Sequence, residues 1–163
     1  MKKIIMFALV LAINLATVQM VFAYSHEYYN NHITREQAAQ ADAIARSIAN
    51  QIMGNKNYKT DLQRVQAATS IVAKYASSCK YGADANKYYR TPYGVFVSKN
   101  VTCAGTTRGL GRVLEFMGFV DWVHVNENQW KHQWCVLVMD GKIGFADAAV
   151  LPFGYVGYGK YKR

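Results

Sequence analysis

Cysteine is scarce in this chain: three residues in 163, at Cys79, Cys103 and Cys135, with no C-x-x-C spacing among them. A dithiol redox module needs that spacing, which counts against a redox protein built on Cys79 and Cys135. Acidic residues are few too, ten against nineteen Lys and Arg, giving a formal charge of +9. The basic residues are scattered and form no basic-aromatic module, so a nucleic-acid partner is not expected. No loop has calcium-ligand spacing. No internal repeat and no domain linker is evident. Of the four histidines, His26 and His32 stand six apart with no further ligand pattern. No metal and no cofactor is therefore expected.

What is present begins with a leader. Residues 1–23 open with Lys2 and Lys3, continue in an apolar run, and end in Val21-Phe22-Ala23. Small residues at both positions inspected by a signal peptidase make this a secretory signal peptide, with a retained membrane anchor as the alternative. Cleavage removes Lys2 and Lys3 and takes the charge from +9 to +7. The remaining chain, 24–163, suits one compact domain: a helical segment over 24–59 joined to the body of the fold over 60–163. A basic exported domain is expected outside the cell or in its envelope. It would dwell on anionic surfaces and have no membrane association after cleavage. In that compartment an odd cysteine count leaves at least one thiol outside any internal disulfide.

Helices come first. Thr34-Arg-Glu-Gln37 has capping-box form, and Ala38, Ala41, Ala45, Ile48 and Ile52 follow at helical spacing up to Gly54. A second helix is predicted from Thr60, with Leu62, Val65, Thr69, Val72, Ala73 and Ala76 on one face. Residues 77–100 read as an irregular loop, with a turn at Pro92-Tyr93-Gly94. A third helix is predicted over about 104–117, stopped by Gly118. Beyond it come β-rich runs at 119–125, 129–139 and 142–150, the last two joined by Asp140-Gly141, a strong hairpin signal. The tail, 152–163, has no assigned role. Helices followed by strands give an α+β domain.

Cys103 stands at the start of the third helix, before Ala104, Gly105, Thr106 and Thr107. A helix N-terminus favours a thiolate, the nucleophilic form. The small neighbours are read as room for a substrate carbonyl and its oxyanion. Such a nucleophile needs a base, and the base an orienting group. The hairpin selects them. If Met139 faces Lys142, Trp134 lies opposite Asp147 and His132 opposite Ala149, so His132 and Asp147 become diagonal neighbours on one face. Cys135 points to the other face. His124 is the competing base. Cys79 and Cys135 read as small core residues.

The order T-C-A-G, a helix, then K-H-Q-W-C-V-L-V-M-D-G-K and F-A-D resembles the transglutaminase-like superfamily, in a secreted bacterial-type member. The likeness covers about residues 60–150. It implies a papain-like α+β core in which N-terminal helices and a catalytic-cysteine helix pack on a small antiparallel sheet. It matches Cys103 to the nucleophile, His132 to the base, Asp147 to the orienting carboxylate and Trp134 to the strand tryptophan. The segment Cys79-Lys80-Tyr81 resembles the stretch before the cysteine loop. Trp134, Tyr93 and Asn100 are the candidates for substrate or oxyanion contacts. Departures at Gln133, Ile143, Gly144 and Ala148 leave the triad intact and the substrate open. The implied activity is hydrolysis or transamidation of amide bonds through a thioester, with a protein or peptide substrate and cell-wall peptides among the options. The alternative is a non-catalytic binding module of the same fold at the cell surface.

Overall fold

The computed structural model describes residues 33–82, 87–119, 123–128 and 132–161. Residues 1–23, read above as a signal peptide, and His26 and His32 lie outside the described residues. Both leading helices start where their capping sequences place them. Helix α1 (Arg35–Gly54) is capped by Thr34, whose hydroxyl accepts from the Gln37 N–H at 3.3 Å while Gln37 Oε1 accepts from the Thr34 N–H at 3.0 Å. Helix α2 (Asp61–Ser77) repeats the device with Thr60 and Gln63. Reciprocal capping satisfies donors that the first turn cannot satisfy itself. The buried residues of α1 (Ala41, Ala45, Ile48, Ala49, Ile52) and of α2 (Val65, Ala68, Thr69, Val72, Ala73, Ala76) form single stripes. Helix α3 (Cys103–Phe116) packs against both, so the segment 35–54 shares one core with the residues that follow it.

The region read as an irregular loop has more structure than its composition indicated. Strand β1 (Lys80–Tyr81) pairs in parallel with β2 (Asn100–Val101). Between them a π-helix spans Gly94–Ser98, so Pro92-Tyr93-Gly94 leads into a helical turn and is not an isolated reverse turn. Close packing explains Gly94: a Cβ there would stand 2.3 Å from the Tyr88 carbonyl oxygen.

A four-stranded antiparallel sheet follows, in the order β3 (Val123–Asn128), β4 (His132–Met139), β5 (Lys142–Asp147), β6 (Tyr155–Tyr158). Asp140 and Gly141 both have positive φ, 52° and 73°, the geometry of a two-residue turn whose twist matches the strands. Pairing therefore starts at Met139↔Lys142 and runs to Cys135↔Ala146, as the Asp-Gly signal required. The Asp140 carboxylate also reaches the start of α2, accepting from the Asp61 N–H at 2.8 Å and the Leu62 N–H at 3.0 Å. One turn thus closes the hairpin and ties it to a helix.

Strand β6 comes from the tail that had no assigned role. It pairs with β5 from Gly144↔Tyr158 to Asp147↔Tyr155. Its pairing also explains the glycine at 144. A Cβ on Gly144 would meet the Gly157 carbonyl oxygen and the Met139 side chain, each at 2.5 Å, which leaves no place for an aromatic ring. Helix α3 packs on β4 and α2 on β6, so the helices cover one face of the sheet.

Candidate active site

Cys103 is the first residue of α3. Thr102, at the N-cap position, makes no side-chain cap; its hydroxyl and N–H instead bind the Tyr89 carbonyl at 3.3 and 3.1 Å. The cysteine therefore sits at the positive end of the helix dipole without a hydroxyl between it and the helix terminus. Ala104, Gly105, Thr106 and Thr107 are all buried, and a Cβ on Gly105 would stand 2.3 Å from the Tyr89 carbonyl oxygen. Gly105 thus lets the 88–101 segment close onto α3, while the Thr107 hydroxyl donates to the Gln133 carbonyl of β4 at 2.9 Å.

Strand β4 begins with His132, which is half-buried. Its Nε2 lies 2.6 Å from Asp147 Oδ2. Asp147, the last residue of β5, is 1% exposed, and its Oδ1 accepts the Ala149 N–H at 2.9 Å. The strand ends there because the chain turns back onto this carboxylate. His132, the Tyr81 hydroxyl and the Gln133 N–H all lie close enough to the Cys103 thiol to favour its ionised form. The structure thus gathers Cys103, His132 and Asp147. It places Trp134 beside them, 6% exposed, with its ring stacked 5.9 Å from that of His132.

The electrostatics of the pair are mutual. Burial pushes the Cys103 thiol up, but hydrogen bonds from His132 and Tyr81, the His132 charge and the Gln133 N–H outweigh it and leave the thiol more acidic than usual. The bond to Asp147, followed by the bond to Cys103, raises His132 from 6.5 to about 9 against the opposing effect of burial. Each group stabilises the charged form of the other, so the pair favours thiolate and imidazolium.

The other candidates fall elsewhere. Tyr93 packs edge-on against Tyr88, with ring centroids 5.1 Å apart. Asn100 is buried and donates to the carbonyls of Lys80 and Gly82, holding the 80–82 segment. Neither is among the described groups that bond to Cys103. His124, the competing base, is registered opposite Cys135, out of phase with His132 and Trp134. Cys135 is fully buried on the α3 side, with its S–H directed at the Thr107 carbonyl 3.5 Å away, and burial holds its thiol far from ionisation. Cys79 is half-buried, and burial raises its thiol too. All three thiols are free. Among the described residues, no three His, Cys, Asp or Glu side chains cluster to hold a metal ion.

Two tyrosines of the site were not among the sequence candidates. Tyr81 accepts the Cys103 N–H at 3.3 Å through its hydroxyl, and its ring is 64% exposed. The parallel β1–β2 pair, which matches Tyr81 with Val101 two residues before Cys103, brings it there. Tyr161 donates its hydroxyl to Asp147 Oδ2 at 2.6 Å and stacks on Trp134 at 4.6 Å. The presence of Cys-Lys-Tyr before the cysteine loop was the one available signal for Tyr81. Nothing in the tail's composition singled out Tyr161.

No family model matches this chain, and no curated protein matches it. Among solved structures it is similar to a chain described as the crystal structure of a TGase, with a TM-score of 0.56 and 17% identity. The match covers 90% of this chain and 40% of that one, so the protein spans less than half the length of that structure. At this identity the likeness is one of architecture. The mixed helix-and-sheet arrangement, three helices beside a small antiparallel sheet, is a transglutaminase-like fold.

Proposed function

We propose that this protein is a secreted thiol enzyme acting on amide bonds through Cys103, His132 and Asp147. The observation that carries the reading is the chain of contacts from the Cys103 thiol to His132 and from His132 Nε2 to Asp147 Oδ2 at 2.6 Å. Export rests on the composition of residues 1–23.

With Nε2 engaged by Asp147, Nδ1 is the nitrogen that serves the thiol. The Cys103 thiolate attacks the carbonyl carbon of a carboxamide or peptide. A C–S bond forms and the carbonyl electrons move to oxygen. The N-terminus of α3 and the Tyr81 hydroxyl are the groups at hand to receive that charge. This role moves from Tyr93 and Asn100 to Tyr81. Collapse of the oxyanion breaks the C–N bond, and the imidazolium proton of His132 leaves with the amine. A thioester remains. Water or a second amine then attacks it, His132 accepts the incoming proton, and the C–S bond breaks to release the Cys103 thiolate beside the imidazolium. Water gives hydrolysis and an amine gives cross-linking; the same three residues support both. Trp134, enclosed behind His132, serves as a wall of the site. No step requires a cofactor.

The test is a paired assay on a glutamine-rich protein such as casein, with and without dansylcadaverine as the added amine. Ammonia release alone identifies an amidase, peptide cleavage a peptidase, and fluorescent labelling of the casein a transamidase. All three should vanish in Cys103→Ala. Failure of Cys103 to react quickly with iodoacetamide at neutral pH would instead identify a binding module.

A further inference from the structure

The tail of the chain folds back over the site. After β6 it turns at Gly159, where φ is +81° and the N–H donates to the Ile143 carbonyl at 2.9 Å. Two residues later Tyr161 lies flat against Trp134, with centroids 4.6 Å apart and planes at 20°, and near-parallel to His132 at 6.1 Å. Phe145 meets its edge at 5.0 Å. The sheet face that carries His132 and Asp147 is thus roofed by Tyr161.

The roof has a polar contact with the site. The Tyr161 hydroxyl donates to Asp147 Oδ2 at 2.6 Å, the same oxygen that meets His132 Nε2 at 2.6 Å. With the Ala149 N–H on Oδ1, this buried carboxylate is held by three donors from three segments. Two fixed donors on one oxygen define the carboxylate plane, and with it the direction in which the imidazole is held. We propose that Tyr161 is a positioning residue of this site: its hydroxyl locks Asp147 against His132, so the C-terminal tail is a working part of the machinery. The inference rests on the enzyme reading above, but its test does not require turnover.

The titratable groups around this oxygen are His132 and Tyr161, with Cys135 on the far face of β4 and Cys103 and Tyr81 facing His132. Removing one of two donors from a shared oxygen concentrates the carboxylate's charge on the other. Tyr161→Phe keeps the ring and its stacking and loses only the hydroxyl. In the full-length protein, an NMR titration of the His132 ring should move to higher pH, and whichever turnover of casein the wild type shows should fall about tenfold at unchanged KM, the scale of one hydrogen bond to a charged group. Continued resistance of buried Cys135 to thiol reagents reports that the variant is folded. A His132 titration that is unchanged, or shifted to lower pH, in a folded Tyr161→Phe protein overturns the inference. If wild-type Cys103 reacts with iodoacetamide but casein is untouched, the amide-substrate reading fails, while the His132 titration still decides the role of Tyr161.

Discussion

His132 Nε2 and Asp147 Oδ2 stand 2.6 Å apart although 15 residues separate them in the chain. The turn at Asp140-Gly141 sets that distance. Ladder pairing runs back from Met139↔Lys142 to Cys135↔Ala146, and the next step outward places the two side chains diagonally on one face. A one-residue slip would send them to opposite faces, so the whole constellation depends on the register of a single hairpin.

The two faces of β4 predict opposite behaviour for two cysteines. Cys103→Ala should keep the wild-type melting temperature and lose turnover at least ~10³-fold, because the nucleophile goes while the packing stays. Cys135→Ala should retain most activity and melt earlier, because Cys135 is fully buried against α3. Kinetics and thermal unfolding of the two variants decide the assignment. It is wrong if the folded Cys135 variant is inert while the Cys103 variant works.

Activity should follow a bell in pH. Cys103 ionises below the usual thiol range, and His132 keeps its proton up to about 9. The acid limb should therefore lie below that of an ordinary thiol, and the alkaline limb near the His132 value. Stability has a definite sign on the alkaline side. The folded-state value of His132 lies above its ordinary 6.5, so its contribution is complete below 6.5 and lost as pH rises through about 9. Iodoacetamide rates and melting temperatures across pH 4–10 check both. In His132→Ala the alkylation rate at neutral pH should drop, since the charge partner of the thiolate is gone.

Gly105→Ala distinguishes packing from substrate access. The added Cβ would lie 2.3 Å from the Tyr89 carbonyl oxygen and 3.2 Å from Val101 Cγ2. Overpacking of this kind costs about 1–3 kcal/mol, so the variant should show reduced stability to urea. Wild-type stability with a raised KM would mean that the glycine serves the substrate after all.

The helices are pinned by a pair that hydropathy patterns do not reveal. Arg112, 4% exposed on α3, holds Asp42 of α1 through two bonds of 2.7 Å and Glu115 through one of 2.6 Å. Its guanidinium also stacks over Phe116 at 4.2 Å. Asp42→Ala leaves a buried guanidinium short of its bidentate partner and should cost about 3 kcal/mol, read from chemical denaturation. Arg112→Met, which removes the charge as well, should cost less than Asp42→Ala.

What could be read from the sequence alone was local. Thr34 with Gln37, Gly118 and Asp140-Gly141 work through backbone groups a few residues away, so their neighbours in sequence suffice to specify them. The pairing of His132 with Asp147 belongs here too, since a two-residue turn and strand alternation carry it across the hairpin. Smallness at Gly105 looks identical in the sequence whether it admits a substrate or a neighbouring carbonyl, and only the tertiary structure brings the Tyr89 carbonyl there. It alone brought Tyr81 to Cys103 across 22 residues, Arg112 to Asp42 across 70, and the tail's Tyr161 back onto Asp147. These contacts follow from the parallel β1–β2 pair, the crossing of α1 with α3, and β6 closing the sheet. Each depends on how whole elements pack, and no periodicity or spacing in the chain encodes where two packed elements will touch.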